Sequence, residues 1–287
     1  MNALRPTPLI CAVAMVMACQ QSPGESTTRA PPVIVPAASS SHSPGIAHGT
    51  FAYVDSTGTE LLALDSLADP STIVGALCSG AVARPVRFDR KQVRQPHDNA
   101  RQVSSNFGNE AGDVFALIQE RAPSDKTCYL TSDSVLFAAA RAATVREAST
   151  CAPAQVARVT VIKAREVIRC SLIARTSNAL EVLAIQFVNV DSSALASLVV
   201  VVADTSFLFR DFPAVYRNGG ESTWRVDDEG VFSPKDFDVL FVDTLPYGVV
   251  MAFTWAGPEG ESDELLLADS TRQFRTLHTS YRYWSPS

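Results

Sequence analysis

The hydrophobic pattern of the chain is mainly that of short β-strands separated by polar turns. Two apolar runs, residues 51–55 and 60–64, flank the glycine-containing turn 56–59, and this spacing predicts a β-hairpin. Residues 114–119 and 127–131 flank a proline-containing turn in the same way and predict a second hairpin.

Other runs of strand-like length follow along the chain. They are residues 159–163, 170–175, 180–190, 198–203, 237–242, 249–255, 264–268 and 274–283. Within them Phe237, Val239 and Phe241 alternate and predict one shared face, while residues 199–202 are apolar on both faces, as in a central strand. In the last run Phe274 breaks the alternation of the later apolar positions, which indicates a bulge.

One helix is predicted at residues 134–147, which are rich in alanine and follow a possible N-cap at Asp133. The fold class predicted is therefore mainly β, as layered antiparallel sheets or an irregular barrel or sandwich, with one or two short helices. An α+β fold is the alternative. Residues 49–287 are expected to form this globular part, with two subdomains and a boundary near residue 150 as one arrangement.

An apolar run of ten residues, from Leu9 to Ala18, follows a short basic segment that contains Arg5. It is much shorter than the roughly 20 residues that a helix needs to cross a bilayer core. Its length instead suits the apolar region of an export signal, which spans about 7–15 residues.

The end of this run, Val16-Met17-Ala18-Cys19, resembles the lipobox of bacterial lipoproteins. The resemblance implies a signal peptide at residues 1–18 and a diacylated Cys19 as the mature amino terminus. The alternative is an ordinary signal cleaved after Ala18. Gln20 stands where inner-membrane lipoproteins of the family carry Asp, so the resemblance implies anchorage in the outer membrane, facing the periplasm or the exterior.

Residues 19–48 predict a flexible tether between this lipid and the globular part. Residues 20–48 contain five prolines and six serines, with only Glu25 and Arg29 charged. Such a segment has too little apolar surface to form a core.

Removal of Arg5 with the leader leaves 23 basic and 30 acidic residues, a net charge of −7. The densest basic stretch, residues 84–101, lacks the interleaved aromatic residues of a base-stacking surface, so no nucleic-acid partner is expected. The expected partner is the membrane, through the lipid, together with a protein or glycan that the sequence does not identify.

Four cysteines remain once Cys19 and Cys11, a leader residue, are set aside. They are Cys78, Cys128, Cys151 and Cys170. An even number in an exported chain predicts two disulfides, with three possible pairings. Their spacing and the lack of nearby histidines do not suit zinc, and neither a metal nor a cofactor is expected.

Catalytic signatures are scarce in this sequence. There is no Gly-x-Ser-x-Gly elbow and no phosphate-binding glycine pattern. His97 beside Asp98 is the one histidine next to a carboxylate, and in a polar loop both are expected to be solvated; His278 is expected to be structural or on the surface. No catalytic residue is therefore assigned, and the hypothesis that the protein is an enzyme is the less favoured one.

Aromatic residues offer a second kind of site, because they can stack on a carbohydrate or a peptide, although they also fill β cores. The candidates are Trp224, Trp255, Tyr281, Tyr283 and Trp284. The function expected is a non-catalytic binding or envelope-scaffold module on an exported lipoprotein. The alternative is an envelope hydrolase that uses His97, Asp98 or a serine.

Overall fold

Fifteen strands and two α-helices make up the part of the chain that the computed structural model describes, residues 48–80, 82–140, 144–203, 205–217, 222–268 and 272–284. A mainly β fold with short helices is therefore confirmed. All of these residues belong to one compact unit. Cys19, the leader and the tether up to residue 47 lie outside the described residues.

Six strands form a closed antiparallel barrel in the order β1-β2-β5-β4-β3-β6. They are β1 (Thr50–Val54), β2 (Glu60–Ala63), β3 (Gly75–Cys78), β4 (Val82–Gln92), β5 (Gly112–Leu117) and β6 (Thr127–Thr131). The interior of the barrel is filled by buried apolar side chains, among them Val54, Leu61, Phe115 and Leu130.

The hairpin predicted at residues 51–64 is confirmed, since β1 and β2 pair antiparallel. Its turn is held by the Asp55 carboxylate, which accepts hydrogen bonds from the backbone N–H groups of Thr57, Thr59 and Glu60 at 3.1, 2.7 and 3.0 Å. Gly58 supplies the left-handed conformation that this turn requires, with φ of +75°.

The second predicted hairpin is wrong, although both of its strands exist. In the barrel β5 pairs with β2 and β4, whereas β6 pairs with β1 and β3. The apolar pattern located the strands, and the closure of the barrel determined their neighbours.

The rest of the chain forms two further antiparallel sheets. A five-stranded sheet runs β11-β10-β9-β8-β7, and a four-stranded sheet runs β12-β13-β14-β15. The five-stranded sheet contains β7 (Thr144–Thr150), β8 (Val167–Thr176), β9 (Glu181–Phe187), β10 (Ser193–Val202) and β11 (Ser206–Val215). The four-stranded sheet contains β12 (Phe237–Leu245), β13 (Gly248–Ala256), β14 (Gly260–Ala268) and β15 (Phe274–Tyr283).

The four-stranded sheet is shared by two hydrophobic cores. One face, with Met251 and Leu266, packs against the five-stranded sheet. The other face, with Val250 and Leu265, packs against residues that point outward from the barrel, such as Phe51. The barrel and the five-stranded sheet therefore lie on opposite faces of one central sheet.

Two β-bulges in the four-stranded sheet change the face on which the following side chains lie, and therefore the core that they join. In β12 the register shifts between Val239 and Phe241. Phe237 and Val239 thus face the five-stranded sheet while Phe241 faces the barrel, so the prediction of one shared face is wrong for Phe241. The bulge predicted in β15 is confirmed, since the register shifts where Leu277 stands.

The two helices correct two other predictions. α1 (Ser134–Ala139) begins where expected, with the Asp133 side chain accepting from the N–H groups of Val135 and Leu136, but it ends early because residues from Thr144 onward form β7. α2 (Pro153–Lys163) contains residues 159–163, which were predicted as a strand. Proline at its first position favours the helix, and Val159 is buried against the five-stranded sheet.

Within the described residues, both helices are too short or too polar to cross a bilayer. The remaining predicted strands are present with shifted ends, and the structure adds β3, β4, β7 and β11, which were not predicted. Residues 199–202 are confirmed as a central segment, because alternate valines enter the cores on the two faces of the five-stranded sheet.

Both predicted disulfides are present, and the structure settles their pairing. Cys78 in β3 is bonded to Cys128, its direct neighbour in β6, with a Cα–Cα distance of 4.2 Å. Cys151, just before α2, is bonded to Cys170 in β8 with a Cα–Cα distance of 5.5 Å. The first closes the barrel across two strands, and the second ties α2 to its sheet.

Arg282 joins the four-stranded sheet to the barrel. Its side chain is only 3% exposed. The guanidinium donates from Nε to the Gln102 carbonyl at 2.7 Å, from Nη1 to the Asp125 carbonyl at 2.8 Å and from Nη2 to Asp125 Oδ1 at 3.1 Å. Nη1 also lies 3.4 Å from Glu261 Oε1. The donors of this buried arginine are thus used by two barrel loops and one neighbouring strand.

Asp263, also on the barrel-facing side of β14, is in the opposite situation. It is 0% exposed, and neither carboxylate oxygen has a hydrogen-bond partner among the residues that the structure describes. Burial, together with the negative charges of Glu261 and Asp65, raises the pKa of Asp263 well above its usual range, although Arg282 acts in the other direction. The folded protein therefore favours the protonated, uncharged form of Asp263.

Candidate functional site

A loop after β11 presents two of the aromatic and charged groups that could bind a ligand. The Asp228 carboxylate organises this loop by accepting four backbone hydrogen bonds, from Thr223 (2.7 Å), Trp224 (2.5 Å), Arg225 (2.7 Å) and Gly230 (2.9 Å). The acidic run at residues 227–230 is therefore the polar turn that its composition favours, with Asp228 engaged by the backbone.

The same loop contains a cluster of left-handed residues. Asp227, Glu229 and Gly230 have φ values of +61°, +48° and +73°. A non-glycine residue in this conformation costs of order 1–3 kcal/mol, and the surrounding contacts must maintain it. Asp228 provides such contacts, so the backbone at Trp224 and Arg225 is fixed.

Two adjacent grooves share Trp224 and Trp255. The first, of about 350 Å³, follows the edge strand β11. It is also lined by Arg210, Asp211, Phe212, Pro213, Ala214 and Thr223. The second, of about 290 Å³, lies at the end of the four-stranded sheet and is here called the Trp224 groove. Besides the two tryptophans it is lined by Arg225, Val226, Gly257, Pro258, Glu259, Gly260, Ser262 and Tyr281.

The indole of Trp224 is held in one orientation. Its Nε1 donates to the Phe212 carbonyl at 2.9 Å, and its ring meets the edge of Phe232 at a centroid distance of 5.7 Å. Trp255 is more a support than a free platform, because Phe237 stacks on it at 5.0 Å and the Arg225 guanidinium lies 5.1 Å from its ring centroid.

Tyr281 completes the Trp224 groove from β15. It is 54% exposed. Burial and the nearby Glu259 carboxylate raise the pKa of Tyr281, so the phenol is a protonated donor at neutral pH. Gly257 leaves room for Arg225, since a Cβ at this position would come within 2.6 Å of Arg225 Nη2.

The structure brings together three of the five aromatic residues that the sequence singled out. Trp224 lies in a bend, whereas Trp255 and Tyr281 lie in strands as expected. Trp284 is elsewhere, beside Arg282 in a crevice of about 180 Å³. Tyr283 lines neither groove.

A polar cleft of about 510 Å³ forms a second candidate site, lined in part by His48 and Asp65. Asp65 Oδ2 accepts from Thr50 Oγ1 at 3.1 Å, lies 3.2 Å from His278 Nε2, and also accepts from the Ser280 hydroxyl. Sequence reasoning missed Asp65 and Ser280, because they are far apart in the chain.

This cluster does not have the geometry of a hydrolytic relay. The Ser280 hydroxyl lies 3.3 Å from His278 Nε2, the same nitrogen that contacts Asp65. A Ser-His-Asp relay needs the hydroxyl on one ring nitrogen and the carboxylate on the other, so that the imidazole can pass a proton between them. The arrangement around His278 instead resembles a hydrogen-bonded surface cluster.

The His97-Asp98 pair is not brought together as a base and its orienting acid. His97 is exposed. Asp98 Oδ1 accepts from the Ala100 N–H at 2.8 Å and from Asn106 Nδ2 at 2.9 Å, and Asp98 Oδ2 lies 3.0 Å from Arg94 Nε. Asp98 thus organises its own loop.

Among the described residues, no group of three or more His, Cys, Asp or Glu side chains is placed to hold a metal ion. Comparisons with protein-family models, with curated proteins and with solved structures find no match to this chain. The functional argument therefore rests on the geometry of the two sites, of which the Trp224 groove has the more complete set of binding groups.

Proposed function

We propose that the protein is an exported, lipid-anchored binding module that holds a saccharide in the Trp224 groove. The observation that carries the proposal is the pre-positioned Trp224 indole, fixed by its bond to Phe212 and by the Asp228-capped loop, beside the exposed ring of Tyr281. A site that is ordered before binding loses less entropy when the ligand arrives.

The composition of the groove favours a sugar over a peptide. A sugar ring has an apolar face, which aromatic side chains cover, and an edge of hydroxyl groups, which polar side chains bind. The Trp224 groove offers both kinds of surface, with the rings of Trp224 and Tyr281 alongside Arg225, Glu259 and Ser262. Its volume of about 290 Å³ suits one or two sugar units better than an extended chain.

The proposed location rests on the lipobox-like Val16-Met17-Ala18-Cys19 and is supported by the two disulfides, which form and persist in oxidising compartments. Residues 19–48 would let the binding domain stand away from the outer membrane. The site could then reach saccharides of the cell envelope.

Anchorage is tested by radiolabelled palmitate incorporation in cells that express the wild type or Cys19→Ala. We expect label in the wild type and none in the variant, because the lipobox places diacylation on Cys19. Cys11→Ala is the matched control and should retain the label. Label that persists in Cys19→Ala would overturn the lipoprotein proposal.

Saccharide binding is tested with the full-length protein, ¹⁵N-labelled at its three tryptophans. Titration with glucose, N-acetylglucosamine and glucuronic acid is expected to shift the indole signals of Trp224 and Trp255. The signal of Trp284 should stay in place, because Trp284 lies in a different crevice. Affinities near the millimolar range, about −4 kcal/mol, are expected for single sugars.

Two variants make this test specific. Tyr281→Ala removes an exposed groove ring and should weaken binding, whereas Val161→Ala, at a 75% exposed position on α2, should leave binding unchanged. If none of the three sugars moves the Trp224 or Trp255 signal, the proposed function is wrong.

A further inference from the structure

Arg225 is the one cation among the described residues that line the Trp224 groove, and Asp236 compensates its charge only in part. Its side chain is 18% exposed, and the nearest approach to Asp236 is 3.7 Å from Nη1 to Oδ2. That distance is too long for a hydrogen bond, and the buried Nη1 has no hydrogen-bond partner among the described residues. Nη2 lies next to Gly257, which lines the groove, so this side of the mostly buried guanidinium can bind an anionic oxygen.

The orientation of Arg225 is also fixed before any ligand arrives. The guanidinium lies over the Trp255 ring at 5.1 Å, and Gly257 provides the space for Nη2. The backbone N–H of Arg225 is held by Asp228 at 2.7 Å. Both ends of the residue are therefore constrained, which suits a charge-assisted hydrogen bond to a carboxylate.

We infer that the saccharide bound in the Trp224 groove is an acidic sugar whose carboxylate pairs with Arg225. This inference rests on the proposed function and adds the class of sugar. In the bound state, Trp224 and Tyr281 cover the ring of the sugar, while the guanidinium of Arg225 forms an ion pair with its carboxylate.

The charges around the groove favour a carboxylate over a phosphate. Arg225 brings one positive charge, part of which Asp236 already offsets, so it attracts a singly charged carboxylate more readily than a group with two negative charges. Glu259 also lines the groove, and Asp228 lies in the adjoining loop, so a phosphate with nearly two negative charges would meet repulsion that one arginine does not offset.

The test compares matched sugars on the full-length protein by the indole signals of Trp224 and Trp255. Glucuronic acid differs from glucose by a carboxylate, and glucose 6-phosphate carries a phosphate at the same carbon. We expect glucuronic acid to bind at least about tenfold more tightly than glucose, the effect of one charge-assisted hydrogen bond. Arg225→Gln should remove this preference, so that glucuronic acid and glucose bind the variant with equal affinity.

Arg225→Gln leaves the backbone bonds to Asp228 in place, and an unchanged Trp284 signal together with an unchanged melting temperature shows that the variant is folded. Arg225→Lys keeps the charge without the planar fork and should retain only part of the preference.

The outcomes separate this inference from the proposed function. If glucose and glucuronic acid shift the Trp224 signal with equal affinity, or if the preference survives in Arg225→Gln, the inference fails while saccharide binding stands. Tighter binding of glucose 6-phosphate than of glucuronic acid also overturns the carboxylate assignment. If no sugar shifts either signal, both proposals fall.

Discussion

Replacement of Asp263 by asparagine should stabilise the protein at neutral pH, which is unusual for a fully buried polar residue. Asp263 is 0% exposed, and neither of its oxygens has a hydrogen-bond partner. The carboxyl group and the amide have almost the same shape, so the substitution leaves the packing unchanged. What it removes is a proton equilibrium, because asparagine stays uncharged at every pH.

The magnitude follows from the raised pKa of Asp263. The folded protein keeps a proton on this group at pH values where the unfolded chain, with a pKa of about 3.9, has released it. Stability from this group is therefore fully present below about pH 3.9 and is lost progressively as the pH rises to the folded pKa. Within that window the loss is about 1.4 kcal/mol per pH unit for one proton.

Urea denaturation followed by tryptophan fluorescence, from pH 4 to pH 8, measures this effect as a difference between wild type and Asp263→Asn. Titrating groups distant from Asp263 contribute equally to both proteins and cancel. The free energies of unfolding should agree near pH 4, and the variant should then gain about 1.4 kcal/mol per pH unit until the folded pKa is passed. Arg282 lowers this pKa, but burial and the charge of Glu261 together raise it by more, so the effect remains.

Asp243→Asn, in the same sheet, is the matched control. Asp243 is also buried, but its Oδ1 accepts from Asn178 at 3.1 Å and from the Thr244 N–H at 2.7 Å. Asparagine keeps the oxygen that accepts both bonds but loses the negative charge that strengthens them, so that variant should lose stability. A difference between wild type and Asp263→Asn that does not change with pH, or a variant that is less stable than the wild type at pH 7, would refute the reasoning.

Two further predictions concern the disulfides and the groove loop. Replacing both cysteines of the Cys78–Cys128 pair by alanine should cost about 4 kcal/mol and replacing those of the Cys151–Cys170 pair about 3 kcal/mol, because they close loops of 50 and 19 residues. Urea midpoints measure both losses, and the reverse order would contradict the loop-closure argument. Asp228→Asn should cost about 2–3 kcal/mol, since an amide nitrogen replaces an oxygen that accepts two N–H groups. The Trp224 indole signal should broaden in this variant, and an unchanged signal would show that the loop does not depend on the carboxylate.

The sequence was sufficient to locate most strands, because their apolar residues form compact runs between turn residues. β4 and β11 were missed since each contains a proline and several charged residues, which an edge or a barrel surface tolerates. The helical residues 159–163 were taken for a strand because Val159, Thr160, Val161 and Ile162 resemble one in isolation.

The hydrophobic pattern of the sequence does not show which distant strands pair with each other. The bulge in β15 could be predicted from the alternation of its own residues. The bulge in β12 depends on the packing of its side chains into two different cores, which the sequence does not show. The same limit applies to the groove. The sequence shows the aromatic residues as candidates, but only the fold brings Tyr281 beside Trp224. The acidic composition of residues 227–229 favours a polar turn, but it does not show which side chains the turn presents.

The order of the sheets along the chain determines which apolar surfaces are exposed while the chain is being synthesised. Of the three described sheets, the four-stranded sheet comes latest along the chain, from Phe237 to Tyr283, yet it covers apolar faces of both the barrel and the five-stranded sheet. Until those strands are synthesised, the barrel and the five-stranded sheet each expose an apolar face to solvent. We therefore expect a chain that stops before Phe237 to aggregate or to require a chaperone that shields both faces.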